Sequence, residues 1–306
     1  MLQSAVRPLS TPFLRPVAFP VRRAFSMSAA CLSTSAGSSP PTTRGALEAM
    51  ALDEIKARYR PFLATKNAAD EADWVDDLEL DTVQELAQRF PRPVRVLVLY
   101  GSLRERSFSR LTAFEASRIL SRLGADVRVY DPSLLPLKGA CPETHEKVAE
   151  LRSLSDWSDA QMWVSPEQHG TVTAVMKNQI DWVPLSTGSV RPTQGRTLAV
   201  CQVNGGSQSF NTVNVLRQLG RWMRMFTIPN QSSIPKAWTQ FTDSDRLLPS
   251  SNRDRLVDVC EELVKVTILL QPSFDLLGDR FSEREEKRAH GKLRTQAEVE
   301  ASLKSM

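Results

Sequence analysis

The sequence predicts an α/β protein whose core is a doubly wound, five-stranded parallel sheet with helices on both faces. Three observations predict it: short β-branched apolar runs recur from Val94 onward, amphipathic stretches separate them, and Gly/Ser-rich loops sit where strand passes into helix. Parallel neighbours need crossover connections, and a sheet covered on both faces reads as continuous apolar runs rather than strict alternation.

Val94 to Tyr100 is the first strand, followed by a Gly/Ser loop and a helix over about Ser109 to Leu123, with Gly124 as its C′ stop. Val127 to Tyr130 is the second strand and Ala160 to Ser165 the third. Thr173 to Trp182 reads as a helix, Thr197 to Val203 as a strand and Asn211 to Met225 as a helix. A short strand near Phe226 to Ile228 and a long helix over Arg253 to Leu270 close a domain spanning 94–272. Ahead of it, residues 46–93 hold a helical stretch from Ala46 to Arg58 and an acidic arm from Asp73 to Asp81. The arm's Trp74, Val75, Leu78 and Leu80 need a neighbouring surface, either their own domain or another subunit. Residues 273–306 form a charged tail, expected to be a solvated or intersubunit helix.

The formal net charge of +4 belongs to the leader, residues 1–45, whose five arginines (Arg7, Arg15, Arg22, Arg23, Arg44) have no acidic counterpart. The rest of the chain holds 34 basic against 35 acidic side chains, which leaves no electrostatic footprint for nucleic acid. A Ser/Ala/Pro-rich leader with scattered Arg and no apolar h-region resembles an organelle transit peptide, and Arg23-Ala24-Phe25-Ser26 resembles a matrix-protease site. Mitochondrial import is the expectation, with plastid import or a disordered cytosolic tail as the alternatives. A Ser/Pro-rich linker, Ser33 to Thr43, follows, and no run approaches the roughly 20 apolar residues of a membrane span, so no membrane is expected as a partner. The four cysteines (Cys31, Cys141, Cys201, Cys260) lack metal-ligand spacing, so no metal site is expected, and Cys201 and Cys260 sit inside apolar segments as buried thiols.

Three loops fall at the C-terminal edge of the expected sheet, the edge where doubly wound folds bind ligands. The first, Gly101 to Arg110, precedes a helix N-terminus that presents free N–H groups to an anion. Ser102, Ser107 and Ser109 would add hydroxyls, and Arg104 and Arg110 forked cations, so a phosphate fits. It lacks both Gly-x-Gly-x-x-Gly and a Gly-Lys-Ser/Thr ending, which argues against a dinucleotide fingerprint and a P-loop. A Ser-capped helix with surface arginines is its other reading. In the second loop, Pro166 and Gly170 shape a backbone able to approach a flat ring, beside Glu167, Gln168 and His169. His169 has no apparent carboxylate partner, which favours packing or hydrogen bonding over general-base work. The third loop carries Gly205, Gly206, Ser207 and Gln208, its glycines allowing close backbone approach.

These motifs resemble the NADPH-dependent FMN reductase family. Its phosphate loop, Gly-Ser-x-Arg-x-x-Ser-x-x-Arg, is matched by Gly101, Ser102, Arg104, Ser107 and Arg110, and its Leu-Lys-Asn-Ala-Ile-Asp-Trp signature by Met176 to Trp182. Ser165 to Gly170 is similar to the Ser-Pro-Glu-Arg-His-Gly of the family's ArsH branch, with Gln168 in the Arg place. Val203 to Phe210, Leu219 to Met225, Asn230 to Ser233, the arm with Trp74 and Asp279 to Arg284 also resemble that branch.

The resemblance implies a flavodoxin-like fold, FMN and NADPH as cofactors, and a homotetramer or homodimer. It implies that Ser102, Arg104, Ser107 and Ser109 hold the FMN phosphate while Pro166 to Gly170 and Gly205 to Gln208 border the ring. It also implies hydride transfer from NADPH to FMN and onward transfer to quinones, azo dyes, metal ions or oxygen, with oxidation of trivalent organoarsenicals in the ArsH branch. With the flavin carrying the chemistry, no side chain need act as nucleophile, and no single Cys or His substitution is expected to abolish flavin reduction. An electron carrier that never meets NADPH and a flavin-based redox sensor are the competing readings.

Overall fold

Five apolar runs pair in parallel in the computed structural model, which describes residues 40–64, 73–184 and 192–304. The leader motif Arg23 to Ser26, Cys31 and most of the Ser/Pro linker lie outside the described residues. The helices α1 (Arg44–Glu48), α2 (Leu52–Tyr59) and α3 (Asp81–Gln88) precede β1 (Arg95–Tyr100). Then come α4 (Phe108–Arg122), β2 (Asp126–Val129), α5 (Glu146–Trp157), β3 (Ala160–Gln168), β4 (Thr171–Val172) and α6 (Ala174–Trp182). The chain continues through β5 (Thr197–Val203), α7 (Asn211–Trp222), β6 (Phe226–Ile234) and α8 (Ser251–Leu270), and finishes with α9 (Phe274–Gly278), α10 (Phe281–His290) and α11 (Gln296–Lys304).

The parallel strands run in the order β2-β1-β3-β5-β6, and the two-residue β4 pairs antiparallel with the end of β3, making six strands where five are expected from sequence. Alternation assigns each strand's side chains to two cores. Val96, Val98, Met162, Val164, Ala199 and Cys201 face α4 and α8, whereas Leu97, Leu99, Trp163, Leu198 and Val200 face α5, α6 and α7. Burial pushes the Cys201 thiol up to about 12, so it remains protonated and unreactive at neutral pH.

Three elements differ from the sequence expectation. The stretch from Ala46 to Arg58 is two helices, with Thr43 capping α1 and an interruption over residues 49–51 before α2. The helix α5 has no counterpart in the sequence reading: its cap is His145 rather than Ser, Thr, Asp or Asn, and its buried face mixes Glu150, Ser153 and Ser155 with Val148, Leu151, Leu154 and Trp157. The last strand, β6, runs to Ile234, past Pro229 and Asn230, because a register shift opposite Leu198 to Val200 absorbs the break.

The acidic arm packs on its own domain. Val75 and Leu80 join the core beneath α4 and α8, Trp74 and Leu78 pack against it, and Arg253 lies 4.6 Å above the Trp74 ring. Trp74 Nε1 donates to Glu115 Oε2 at 2.7 Å, and Asp73 pairs with Arg246, so arm, α4 and the segment after β6 share one buried polar cluster. In the tail, α10 is mostly exposed and is tied down by Glu283, which accepts from Arg224 at 2.9 Å. No helix among the described residues is long and apolar enough to cross a membrane.

Candidate functional site

The loop after β1 begins at Gly101, where the backbone is pinned from two sides: its N–H donates to the Val164 carbonyl at 3.0 Å, and its carbonyl accepts from Thr173 Oγ1 at 2.6 Å. A side chain would enter here only by displacing its neighbours, since a Cβ would lie 2.9 Å from Thr173 Oγ1 and 3.0 Å from Met176 Cβ. The loop ends at Ser107, whose Oγ caps α4 by accepting from the Arg110 N–H at 3.2 Å. Ser107 Oγ and Ser109 Oγ lie 3.0 Å apart in nearly complete burial. Beside them the first N–H groups of α4 have no intrahelical partner. The Arg104 guanidinium is exposed and makes no hydrogen bond or ion pair with any described residue.

The second loop is a hairpin between β3 and β4. Glu167 pairs with Val172 and Gln168 with Thr171, leaving His169 and Gly170 as the turn, with φ of 50° and 74°. Two successive left-handed residues make the tight turn that a twisted hairpin requires. Gln168 Nε2 and His169 Nε2 share a hydrogen bond at 3.1 Å on the exposed tip. The third loop, after β5, is joined to the turn after β6: the Lys236 N–H donates to Gly206 O at 3.1 Å and the Ala237 N–H to Asn204 O at 3.0 Å. That join sets Trp238, 63 % exposed, over the same sheet edge.

The three loops enclose a cleft of about 290 Å³. Of the residues singled out from sequence, Ser102, Arg104, Ser107, Ser109, Pro166, Glu167, Gln168 and Gly205 line it. His169, Gly170, Gly206, Ser207 and Gln208 belong to the same loops but do not line it. Arg110 points elsewhere: its guanidinium bonds the Glu105 carbonyl and lines a separate cleft of about 500 Å³ with Tyr100 and Asp131. Sequence reasoning did not single out Arg106, Phe108, Thr173, Asn204 and Trp238, which also line the cleft. Arg106 bonds Asp245 at 2.9 Å and lies 5.6 Å over the Phe108 ring. The signal that could have found Asn204 and Trp238 is positional, because each follows a parallel strand at the ligand-binding edge.

The cleft's donors and acceptors suit a phosphorylated aromatic ligand. A forked cation, two buried hydroxyls and a helix N-terminus belong to the lining of one cleft, the kinds of group a phosphate dianion requires. Asn204 is a cleft residue whose Oδ1 is buried without a hydrogen-bond partner. Strand order 2-1-3-4-5 among the parallel strands, with this loop at the β1/β3 switch point, is the arrangement that places FMN in flavodoxin-like folds. Fold and cleft thus define a flavodoxin-like protein able to hold a phosphorylated flavin.

Comparison with known proteins gives the particular family. The NADPH-dependent FMN reductase pattern matches residues 94–239. The chain is 63 % identical over 195 residues to the NADPH-dependent FMN reductase ArsH of Rhizobium meliloti, covering 64 % of this chain and 81 % of that protein. It is 60 % identical over 193 residues to the protein of the same name from Shigella flexneri, covering 63 % and 76 %. An NADPH:quinone oxidoreductase of Arabidopsis thaliana is 27 % identical over 189 residues, covering 58 % and 94 %. The chain belongs to the NADPH-dependent FMN reductase family, in its ArsH branch, and is an oxidoreductase that uses FMN and NADPH.

Proposed function

We propose that this reductase passes electrons from NADPH through FMN to flat aromatic acceptors, quinones foremost, and also to azo dyes, metal ions and oxygen, with trivalent organoarsenicals as a further substrate class. The observation that carries the reading is the lining of the cleft, which combines the exposed aromatic Trp238 with Ser102, Arg104, Ser107 and Ser109. Bound FMN supplies the redox chemistry, accepting a hydride and releasing the electrons to the acceptor. The protein's part is to seat and orient. Ser102, Ser107, Ser109 and Arg104 hold the phosphate, and Pro166, Glu167 and Gln168 flank the ring beside Asn204 and Gly205. The quinone reading draws further support from the Arabidopsis relative's name.

An acceptor panel tests it: NADPH oxidation by the FMN-loaded protein should be fastest with a benzoquinone or naphthoquinone. Methylarsenite, an electron donor, should give pentavalent product only with oxygen present: oxygen takes two electrons from the flavin, and the peroxide so formed takes two more from arsenic and leaves as water. No acceleration by any quinone over buffer and oxygen would overturn the reading. Arg104→Ala is expected to weaken FMN binding about ten- to a hundredfold, the range for a hydrogen bond to a charged group, as read by flavin fluorescence titration. Unchanged flavin affinity would displace the phosphate from Arg104.

Assembly as a homotetramer, with a homodimer as the smaller alternative, is supported by exposed Leu269, Leu276 and Phe281 at the α8–α10 end, and light scattering would measure it. Mitochondrial import is supported by the acid-free, arginine-bearing leader, and a fluorescent fusion with and without residues 1–45 would test it.

A further inference from the structure

Below the cleft floor lies one fully buried amide with three hydrogen bonds. Gln202, on β5, is 0 % exposed. Its Nε2 donates to Glu167 Oε2 at 2.9 Å and to the Ser209 carbonyl at 2.9 Å, while its Oε1 accepts from the Val213 N–H at 2.9 Å. Both amide donors are used, and each bond goes to a different element: the cleft-lining end of β3, the loop after β5 and the first turn of α7. The Ser209 carbonyl also accepts from Ser233 Oγ, which brings the end of β6 into the same cluster.

We infer that Gln202 is a positioning residue for the FMN cleft, acting through the Glu167 carboxylate and the loop from Asn204 to Phe210; this rests on the reading of the cleft as the flavin site. The geometry requires an amide. A carboxylate that is a cleft wall needs a donor to fix its orientation, the Ser209 carbonyl needs a donor as well, and the Val213 N–H needs an acceptor. Only a side chain carrying two N–H donors and one carbonyl serves all three from one position. Glutamine is thereby distinguished from every isosteric alternative: methionine supplies none of the three bonds, and glutamate supplies the acceptor but, once ionised, opposes Glu167.

Two variants test the inference against wild-type protein, with FMN affinity as the readout at several pH values and the variant-to-wild-type ratio taken at each to cancel titration of the FMN phosphate. In Gln202→Glu, burial and the adjacent Glu167 carboxylate both raise the introduced carboxyl, so near about pH 5.5 it is protonated and donates to Glu167 as the amide does. As the pH is raised through about 8 to 10 it ionises, and two carboxylates at hydrogen-bond distance repel. The ratio is expected to lie within a few fold of one at the lower pH, where only the bond to Ser209 is lost and Ser233 Oγ still serves that carbonyl, and to fall about tenfold or more below that at the higher. Adding Glu167→Gln to the same chain should abolish that fall. Gln202→Met should bind FMN about tenfold or more weakly at every pH, since it removes the acceptor of the Val213 N–H and the donor that fixes Glu167 Oε2. A pH-independent ratio for Gln202→Glu, or wild-type affinity for Gln202→Met, would overturn the inference. Wild-type protein that binds no FMN would instead overturn the reading of the cleft.

Discussion

Glu115→Ala is expected to destabilise the protein by about 3–5 kcal/mol, the range for removing one partner from a buried ion pair. Glu115 is fully buried on α4 and accepts from Arg118 at 2.7 Å, from Arg246 Nε at 2.6 Å and from Trp74 Nε1 at 2.7 Å. The two arginine side chains are themselves 9 % and 7 % exposed, so truncation leaves Arg118 without a counter-ion and Arg246 with Asp73 as its remaining one. Their desolvation was offset only by this carboxylate and by Asp73, which pairs with Arg246 alone. Urea unfolding should show the loss as a lower midpoint at unchanged slope. The consequence reaches the cleft. Arg246 is adjacent to Asp245, the partner of Arg106, so the arm's attachment and the Arg106 part of the cleft are expected to loosen together. A change below about 1 kcal/mol, the level of an exposed pair, would show that the cluster is solvated and contributes little.

Gly101→Ala is expected to combine a stability loss of about 1–3 kcal/mol with at least about tenfold weaker FMN binding, as overpacking displaces the phosphate loop. The added methyl would lie 2.9 Å from Thr173 Oγ1, 3.0 Å from Met176 Cβ and 3.1 Å from Pro166 Cδ. None of the three can yield cheaply. Thr173 Oγ1 is fixed by the Gly101 carbonyl and by capping α6 through the Met176 N–H at 3.2 Å, Met176 is fully buried, and Pro166 is part of β3. The relief must therefore come from the loop itself, moving Ser102 and Arg104 off the cleft. Thermal melts and fluorescence titration would measure the two effects, and an alanine variant with wild-type values in both would refute the close approach.

Much of the sheet is legible in the sequence. The strands β1 and β5 read directly from Val96 to Leu99 and Leu198 to Val203, because a strand buried on both faces is apolar throughout. Gly124, at φ 84°, does terminate the α4 turn as expected of a C′ glycine. The helix α5 was not legible: its burial of Glu150 depends on Tyr59 and Arg58, 91 and 92 residues away in sequence, and no local pattern encodes those partners. In the site, the loops were placed correctly relative to the sheet edge, since topology alone puts them there. Which side chains enter the cleft was a separate question. Arg110 and Arg104 are equivalent by composition, yet the α4 helical geometry carries one toward Tyr100 and Asp131 while the other stays free at the rim.

From residue types and their spacing alone came the layered α/β architecture, the Gly/Ser loop expected to seat a phosphate and the expectation that a bound flavin, not a side chain, does the chemistry. Those properties reside in local periodicity and in short motifs, which are one-dimensional. Tertiary structure alone decided that Trp238 borders the cleft, that the Trp74 arm docks on α4, and that the buried Gln202 joins the end of β3, the loop after β5 and α7. Each of these depends on contacts between residues distant in the chain, and their hydrogen-bond partners exist only once the strands have taken the order β2-β1-β3-β5-β6.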